Sequence, residues 1–382
     1  MSEVNHYMDF ILPTKVKFGP GMKSEIAEEI PGKGKKRVGI VTTAELLDLG
    51  LNDDIVEDLV RKDCTVEIFS HVTSNPHLDT ISAGYDYFQE FDPDYLVGLG
   101  GGSAIDTTKG ISLCLANGER SLLKLDSREG ELEPGVPYFA VPTTAGTGSE
   151  VDYWAVISDP GTNRKLSIGY PQMAPLTAVV DPELTLTLPP DLTLFTGIDA
   201  LTHAIEAFLS SQSNKLSDVL ALTAVELILR SLTDAVRDGK DIQARGDLSL
   251  ASTLAGAAMQ HVGLGLIHAM SHQVSGFYNT NHGLANALLA PNVIEFNVEA
   301  VPEKYDMANE ALGGDLLEKI GDLFATHSVT ENEVTIFEED LEDLIDRAID
   351  NVNAKTNPRQ ADKEEIRRLY LESYELKKHK GR

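Results

Sequence analysis

Tyr95-Leu96-Val97-Gly98-Leu99-Gly100-Gly101-Gly102-Ser103-Ala104-Ile105-Asp106 is the stretch from which the fold is read. Its first half is an apolar, β-rich run, expected to be a strand from Asp94 to Leu99. The glycines then turn the chain sharply, and a helix is expected from about Ala104. Such a junction lets backbone N–H groups approach a phosphate, and the dipole of the following helix favours the anion. It is not the dinucleotide fingerprint, because Ser103 stands where a third glycine belongs. Plain tight turning is the competing account. A second loop, Pro142-Thr143-Thr144-Ala145-Gly146-Thr147-Gly148-Ser149-Glu150, also follows a strand-like run. It offers hydroxyls and N–H groups suited to ribose and phosphate oxygens, although an ordinary Thr/Gly connection has the same composition.

Outward from this stretch, short β-rich runs recur at Thr14 to Phe18, Arg37 to Val41, Thr65 to Phe69 and Tyr138 to Val141. Amphipathic segments such as Leu51 to Arg61 and Thr80 to Glu90 lie between them. This alternation predicts a parallel sheet with helices on both faces. Extended runs follow at Trp154 to Ser158 and Thr177 to Val180; after Asp181 strand signals almost stop and helical periodicity takes over. Leu188-Pro189-Pro190-Asp191 reads as a hinge. The expected organisation is an α/β Rossmann-like domain over residues 1–184 and an all-α domain over 185–382.

The helical half carries a second signal. Asp199 and His203 stand four apart, so they share one face of a helix, with Glu206 on the same flank. His268 and His272 repeat that spacing, and His282 opens His282-Gly283-Leu284-Ala285-Asn286. A carboxylate and an imidazole aimed the same way from a half-buried helix are half of a metal site. A single Asp-x3-His is also what a helix-surface hydrogen bond looks like. Five of the ten histidines, counting His261, gather in this region, which favours the metal.

Composition narrows the rest. Acidic residues outnumber basic ones by 60 to 32, a formal charge of −28, while hydrophobic residues make up 42%. That surface repels nucleic acid and anionic membranes, and the apolar content excludes disorder. The reading is a folded cytoplasmic protein of a halophile, whose self-repulsion salt screens. Two cysteines, Cys64 and Cys114, lack metal or redox spacing and are expected as reduced packing residues. No signal peptide is read at Met1 to His6, and no apolar run of membrane-spanning length. The acidic run Glu331 to Asp350 is expected as a solvated helix face, and Lys377 to Lys380 as a frayed end.

Taken together, Gly100 to Asp106, Pro142 to Glu150, Gly197 to Phe208, Gly265 to Gly276, His282 to Pro291 and Asn357-Pro358-Arg359 resemble the iron-containing (group III) alcohol dehydrogenases. The resemblance implies a dehydroquinate synthase-like architecture, with the active site between a nucleotide domain and a helical metal domain. By motif position it implies Asp199, His203, His268 and His282 as metal ligands and His272 as a proton relay. It implies cofactor contacts from Gly101, Gly102, Ser103, Thr143, Thr144, Thr147 and Lys165, with Asn75 in Ser74-Asn75-Pro76 a further candidate. Where many members end the second strand in an acidic residue, this chain has Thr43, which does not repel a 2′-phosphate; NADP, or both NAD and NADP, are therefore expected. Asp152 departs from a threonine often found there. Iron(II) is the family's usual metal, and zinc suits the same donors. The implied activity is hydride transfer between a primary alcohol or aldehyde and NAD(P); a homodimer or higher homo-oligomer is the general expectation for assembly. Alternatives are a glycerol-type polyol dehydrogenase, against which His203 argues, a dehydroquinate synthase-like lyase, and an inactive nucleotide-binding scaffold.

Overall fold

The computed structural model describes residues 10–30, 36–159, 161–162, 164–329 and 332–378. Its first half contains β1 (Lys15–Phe18), β2 (Arg37–Val41), β3 (Thr65–Phe69), β4 (Tyr95–Gly100), β5 (Tyr138–Pro142), β6 (Trp154–Asp159), β7 (Arg164–Gly169) and β8 (Thr177–Val180). Six of these form one parallel sheet in the order β1-β8-β5-β4-β2-β3. Helices α1 (Glu25–Glu29), α2 (Ala44–Asp48), α3 (Asp53–Arg61), α4 (Leu78–Phe88), α5 (Gly102–Asn117) and α6 (Leu122–Asp126) accompany it. In β4, Leu96 joins the core on one face while Val97 and Leu99 join the core on the other. Burial on both sides is why the strands read as unbroken apolar runs. The amphipathic segments predicted before and after β3 are α3 and α4.

The chain runs from β2 to β3, then crosses back over β2 to β4, so strand order reverses between β2 and β4. Ligand crevices in open α/β sheets lie beyond the carboxyl ends at such a point. Gly100 to Ser103 leave β4 there, and Thr43 follows β2 there. Helix α5 starts at Gly102, earlier than the sequence suggested. Gly100 adopts φ +151°, a conformation L side chains rarely adopt, and a Cβ on it would stand 2.7 Å from the Ala104 side chain. The turn requires glycine.

The extended run from Trp154 is not part of that sheet. β6 and β7 form a separate antiparallel hairpin pairing Trp154 with Gly169 and Ser158 with Lys165. Side chains alternate across it: Ala155, Ile157 and Ile168 enter the core, while Trp154, Val156, Ser158, Lys165 and Ser167 face the cleft. β7 was not anticipated from the sequence.

The second half comprises α7 (Pro190–Leu209), α8 (Lys215–Arg237), α9 (Ile242–Val262), α10 (Leu266–Tyr278), α11 (His282–Val298), α12 (Pro302–Leu312), α13 (Leu316–Thr326), α14 (Leu341–Asp350) and α15 (Lys363–Ser373). Pro190 of the expected hinge occupies the first turn of α7, where its missing N–H removes no helical bond. Contrary to the sequence reading, α7 is long and apolar enough by composition to cross a membrane; most of it is buried against other helices, as in the central helix of a packed bundle. The half is also not purely helical. β9 (Thr335–Phe337) and β10 (Glu375–Lys377) form a short parallel pair, so Lys377 is paired rather than frayed. His379 and Lys380, and the Met1 to His6 segment, lie outside the described residues. In the acidic run, α14 buries Leu341, Leu344, Ile345 and Ala348 and leaves its charged residues outward. Both cysteines are free and buried, and burial pushes the Cys114 thiol up to about 12.

Candidate metal centre and cofactor cleft

Three helices bring the polar cluster together. α7 supplies Asp199, His203 and Glu206; α10 supplies His268 and His272; α11 begins with His282. Two close contacts fix their angles. Gly283 touches the α7 backbone so tightly that a Cβ would fall 2.0 Å from the Phe195 carbonyl oxygen. Gly263, with φ +72°, ends α9, and the chain bends 104° into α10.

One carboxylate oxygen is the common point. Asp199 Oδ1 lies 3.8 Å from His203 Nε2, 3.5 Å from His268 Nε2 and 3.6 Å from His282 Nε2. His203 and His268 stack at 4.4 Å between ring centroids. Ligands roughly 2.1 Å from a tetrahedral cation stand about 3.4 Å from one another. Asp199, His268 and His282 offer donor atoms all within 4.8 Å of one another and fit a first-row divalent ion, while His203 stands outside that group of three. The far nitrogens are held as well. His203 Nδ1 meets the Gly146 carbonyl at 3.2 Å, His268 Nδ1 meets Glu206 Oε2 at 2.6 Å, and His282 Nδ1 is 3.5 Å from Ser275 Oγ. A carbonyl and a carboxylate only accept, so His203 and His268 carry hydrogen on Nδ1 and turn Nε2 to the centre.

Electrostatics agrees with that geometry. Burial lowers His203 to about 4 despite Asp199, and burial holds His272 and His282 well below the usual histidine range. Burial alone would raise Asp199, but His203, His282 and His268 together hold its carboxyl below the ordinary range. Burial also opposes charge on His268, yet hydrogen bonds to Asp199 and Glu206 outweigh it and push that group up to about 9. The spot therefore favours a positive charge beside neutral imidazoles, which is the donor chemistry of a metal site.

The cluster opens on a cavity of about 430 Å³ between the two halves, lined also by Gly102, Ser103, Thr147, Asn75 and Lys165. Gly102 and Ser103 open α5, whose first N–H groups have no partner within the helix. A Cβ at 102 would stand 2.6 Å from the Thr147 side chain and one at 101 would press on Thr144 at 3.2 Å, so glycine lets the two loops interlock. Lys165 lies on the cleft face of the hairpin, and burial lowers it to about 8. Asn75 Nδ2 donates to Asn279 Oδ1 at 2.7 Å, across the cleft. His272 also lines the cavity, with its ring centroid 5.0 Å from that of His282.

Not every expected residue reaches the cavity. Thr143 is buried behind it, with its N–H on the Gly100 carbonyl at 3.0 Å. Thr144 packs on Gly101. Thr43 caps α2, accepting from the Leu46 N–H at 3.3 Å, and sits outside the lining. His261 stacks on Phe10 at 4.0 Å, away from the ligand cluster.

Comparison with known proteins bears on the whole chain. Residues 13–182 match the family description "Iron-containing alcohol dehydrogenase", and residues 193–374 match "Fe-containing alcohol dehydrogenase family, C-terminal". The chain belongs to the iron-containing alcohol dehydrogenase family. It is 35% identical to alcohol dehydrogenase 4 of Saccharomyces cerevisiae, with 96% of this chain and 98% of that protein covered. It is 35% identical to an NAD-dependent methanol dehydrogenase of Bacillus methanolicus, covering 94% and 98%. An alcohol dehydrogenase structure from Oenococcus oeni superposes with a TM-score of 0.90 at 32% identity, covering 96% of this chain and all of that one. The chain is thus an oxidoreductase with this family's fold.

Family motifs alone do not single out the supporting residues. Glu206 accepts from the Ile267 N–H and from His268, both at 2.6 Å, so it starts α10 and orients a candidate ligand. Asn286 is fully buried; its Nδ2 donates to Asp199 Oδ1 at 2.8 Å and faces His268 Nε2 at 3.2 Å. Behind the hairpin, Lys109 Nζ contacts Asp152 Oδ1 at 2.5 Å, Ser149 Oγ at 2.7 Å and the Trp154 carbonyl at 2.6 Å. Asp106 accepts from Ser149 Oγ at 2.5 Å and from the Val156 N–H at 2.9 Å. The departure at Asp152 thus has a structural consequence: it supplies the counter-ion of a buried lysine.

Proposed function

We propose that this chain interconverts a primary alcohol and its aldehyde with NAD or NADP, at a divalent ion held by Asp199, His203, His268 and His282. The observation that carries the reading is the convergence of three Nε2 atoms on Asp199 Oδ1. Bound there, iron(II) or zinc supplies Lewis acidity that lowers an alcohol's pKa, and the nicotinamide supplies the hydride acceptor. The protein's own groups do the rest. The Nδ1 partners of His203 and His268 keep both rings aimed during turnover. Neutral His272, on the cavity wall, takes the proton released from the hydroxyl and passes it outward. N–H groups at Gly101, Gly102 and Ser103 cradle phosphate, with Thr143, Thr144 and Thr147 shaping the second loop and Lys165 and Asn75 closing over the cofactor.

Thr43 offers no carboxylate at the end of β2, so a 2′-phosphate meets no repulsion from that side chain; use of NADP, alone or beside NAD, follows. The charge of −28 supports a cytoplasmic enzyme working in strong salt; a homo-oligomer is the general expectation for such enzymes. The test is chelation: dialysis against a strong chelator should abolish turnover of alcohols, and added Fe2+ or Zn2+ should restore it. Full activity in protein shown to be metal-free would overturn the reading.

A further inference from the structure

Trp154 is the only tryptophan in the chain, and it is 37% exposed on the cavity wall. An exposed indole is usually free to move; this one is held. What is held is its backbone: the main-chain N–H of Trp154 donates to Asp152 Oδ1 at 2.9 Å, and its main-chain carbonyl accepts from Lys109 Nζ at 2.6 Å. Its cross-strand partner is Gly169, where a Cβ would lie 2.4 Å from the indole, so the ring lies flat over a strand left bare for it. The ion pair of two buried side chains thus fixes the backbone of one aromatic wall.

The surroundings state what that wall meets. Val156, Phe195, Met259, Leu264 and Val352 line the same cavity. Among the described residues, Lys165 is the only lysine or arginine on the lining, and it stands at the other end of the hairpin face, opposite Ser158. Four residues of strand separate the two ends, about 13 Å. Among the described residues, Asp106 and Asp152 are the carboxylates beside Trp154, and Lys109, the cation between them, is engaged by both, at 3.5 Å and 2.5 Å.

We infer that the substrates are uncharged primary alcohols and aldehydes with an apolar tail, and that Trp154 binds the tail and sets chain-length preference. A carboxylate, sulfonate or phosphate on the tail would face acidic groups without a free cation, and polyol hydroxyls would lose water against carbon. This rests on the dehydrogenase reading above and narrows it.

The experiment compares ethanol, butanol, hexanol, glycerol and 3-hydroxypropanoate with the metal-loaded enzyme and either cofactor. In parallel, Trp154 fluorescence is titrated with each compound, since the sole tryptophan reports occupancy of its own wall. The expected kcat/KM rises from ethanol to hexanol by up to about fourfold per buried methylene. Hexanol should change the emission saturably, while glycerol and 3-hydroxypropanoate should not. Trp154→Ala should reduce the hexanol-to-ethanol ratio about tenfold, and Trp154→Phe should keep most of it. A flat chain-length series, a preference for glycerol or the hydroxy acid, or an unchanged ratio in Trp154→Ala overturns the inference and leaves the dehydrogenase reading intact. Absence of turnover with every compound instead sinks the dehydrogenase reading. The fluorescence titration then decides the pocket: saturable binding of hexanol alone supports it, and no response, or the same response to all compounds, overturns it.

Discussion

Glu206 and His268 meet at 2.6 Å in a fully buried contact, and the other oxygen of Glu206 accepts the Ile267 N–H at the start of α10. One side chain on α7 therefore both begins the helix that carries His268 and sets that histidine's tautomer. Glu206→Gln keeps the volume but offers one acceptor where two are used. Such partners are commonly worth about 10–100-fold in metal affinity. The expected result is a loss of that size in competition with a chelator, with the helical circular dichroism retained. Unchanged affinity would show that His268 is oriented by something else.

Asn286 stands on the opposite side of the same cluster. Its amide hydrogen reaches Asp199 Oδ1, while its own Oδ1 is buried without a partner among the described residues. That arrangement holds the carboxylate at the height of the three imidazoles and compensates lone pairs that would otherwise face one another. Asn286→Leu keeps the size and removes the donor. The metal-loaded variant should release its ion about tenfold faster or more, read as loss of colour or metal content over time. Release at the parental rate would reduce Asn286 to a packing residue.

How much of this was legible beforehand depends on distance along the chain. Asp199 and His203 are one helical turn apart, so spacing alone put them on one face. The Gly100 to Ser103 turn was legible because a strand, glycines and a helix follow one another directly. Glu206 and His268 are 62 residues apart, and Lys109 and Asp152 are 43 apart. Periodicity has no access to such pairs, so the sequence showed Asp152 only as an unexplained departure. β9 and β10 hold three residues each, too few for an alternating pattern to declare itself. β7 does alternate, with Leu166 and Ile168 taking turns with Lys165 and Ser167, but its signal is lost beside the stronger run of β6.

The Lys109–Asp152 pair is buried, with relative side-chain exposures of 0% and 5%. Burial already raises the Asp152 carboxyl to about 7 against the pull of Lys109, so removing Lys109 leaves a buried carboxyl that must either stay charged without compensation or take up a proton. Lys109→Met should therefore destabilise the fold by about 3–5 kcal/mol. Adding Asp152→Asn should recover part of that loss, because the stranded charge goes too. Denaturant melts of the single and double variants measure the difference. A double variant less stable than the sum of its parts would mean the pair is not where the destabilisation arises.

Lys165 gives a pH dependence whose sign differs for binding and for stability. Burial brings the ammonium down to about 8 from an ordinary value of 10.5, although Asp199 and Asp106 pull the other way. Below about 8 it is a cation, and if it holds cofactor phosphate as proposed, KM for NAD(P) should rise as pH climbs through that value. Lys165→Met should show a high KM with little change over the same range. Stability goes the opposite way. The folded protein gives up this proton before the unfolded chain does, so the group favours folding more as pH rises from about 8 towards 10.5. A cofactor KM that is flat between about pH 7 and about pH 9.5 would remove Lys165 from the phosphate site.

Salt dependence pits two effects of opposite sign against each other. Surface pairs such as Lys15–Glu29 at 2.8 Å and Arg120–Asp86 at 2.7 Å are strengthened when salt is removed. Each contributes about 0–1 kcal/mol at best. Against them stands the surplus of acids, 60 against 32, whose mutual repulsion has no partner to relieve it. Lowering salt from about 1 M to about 0.1 M lengthens the screening distance from about 3 Å to about 10 Å, so repulsion then reaches between neighbouring side chains. The surplus should win, and the thermal unfolding midpoint should fall as salt is diluted. Equal or higher midpoints in dilute buffer would mean that the ion pairs outweigh the excess charge, and the halophile reading would go with it.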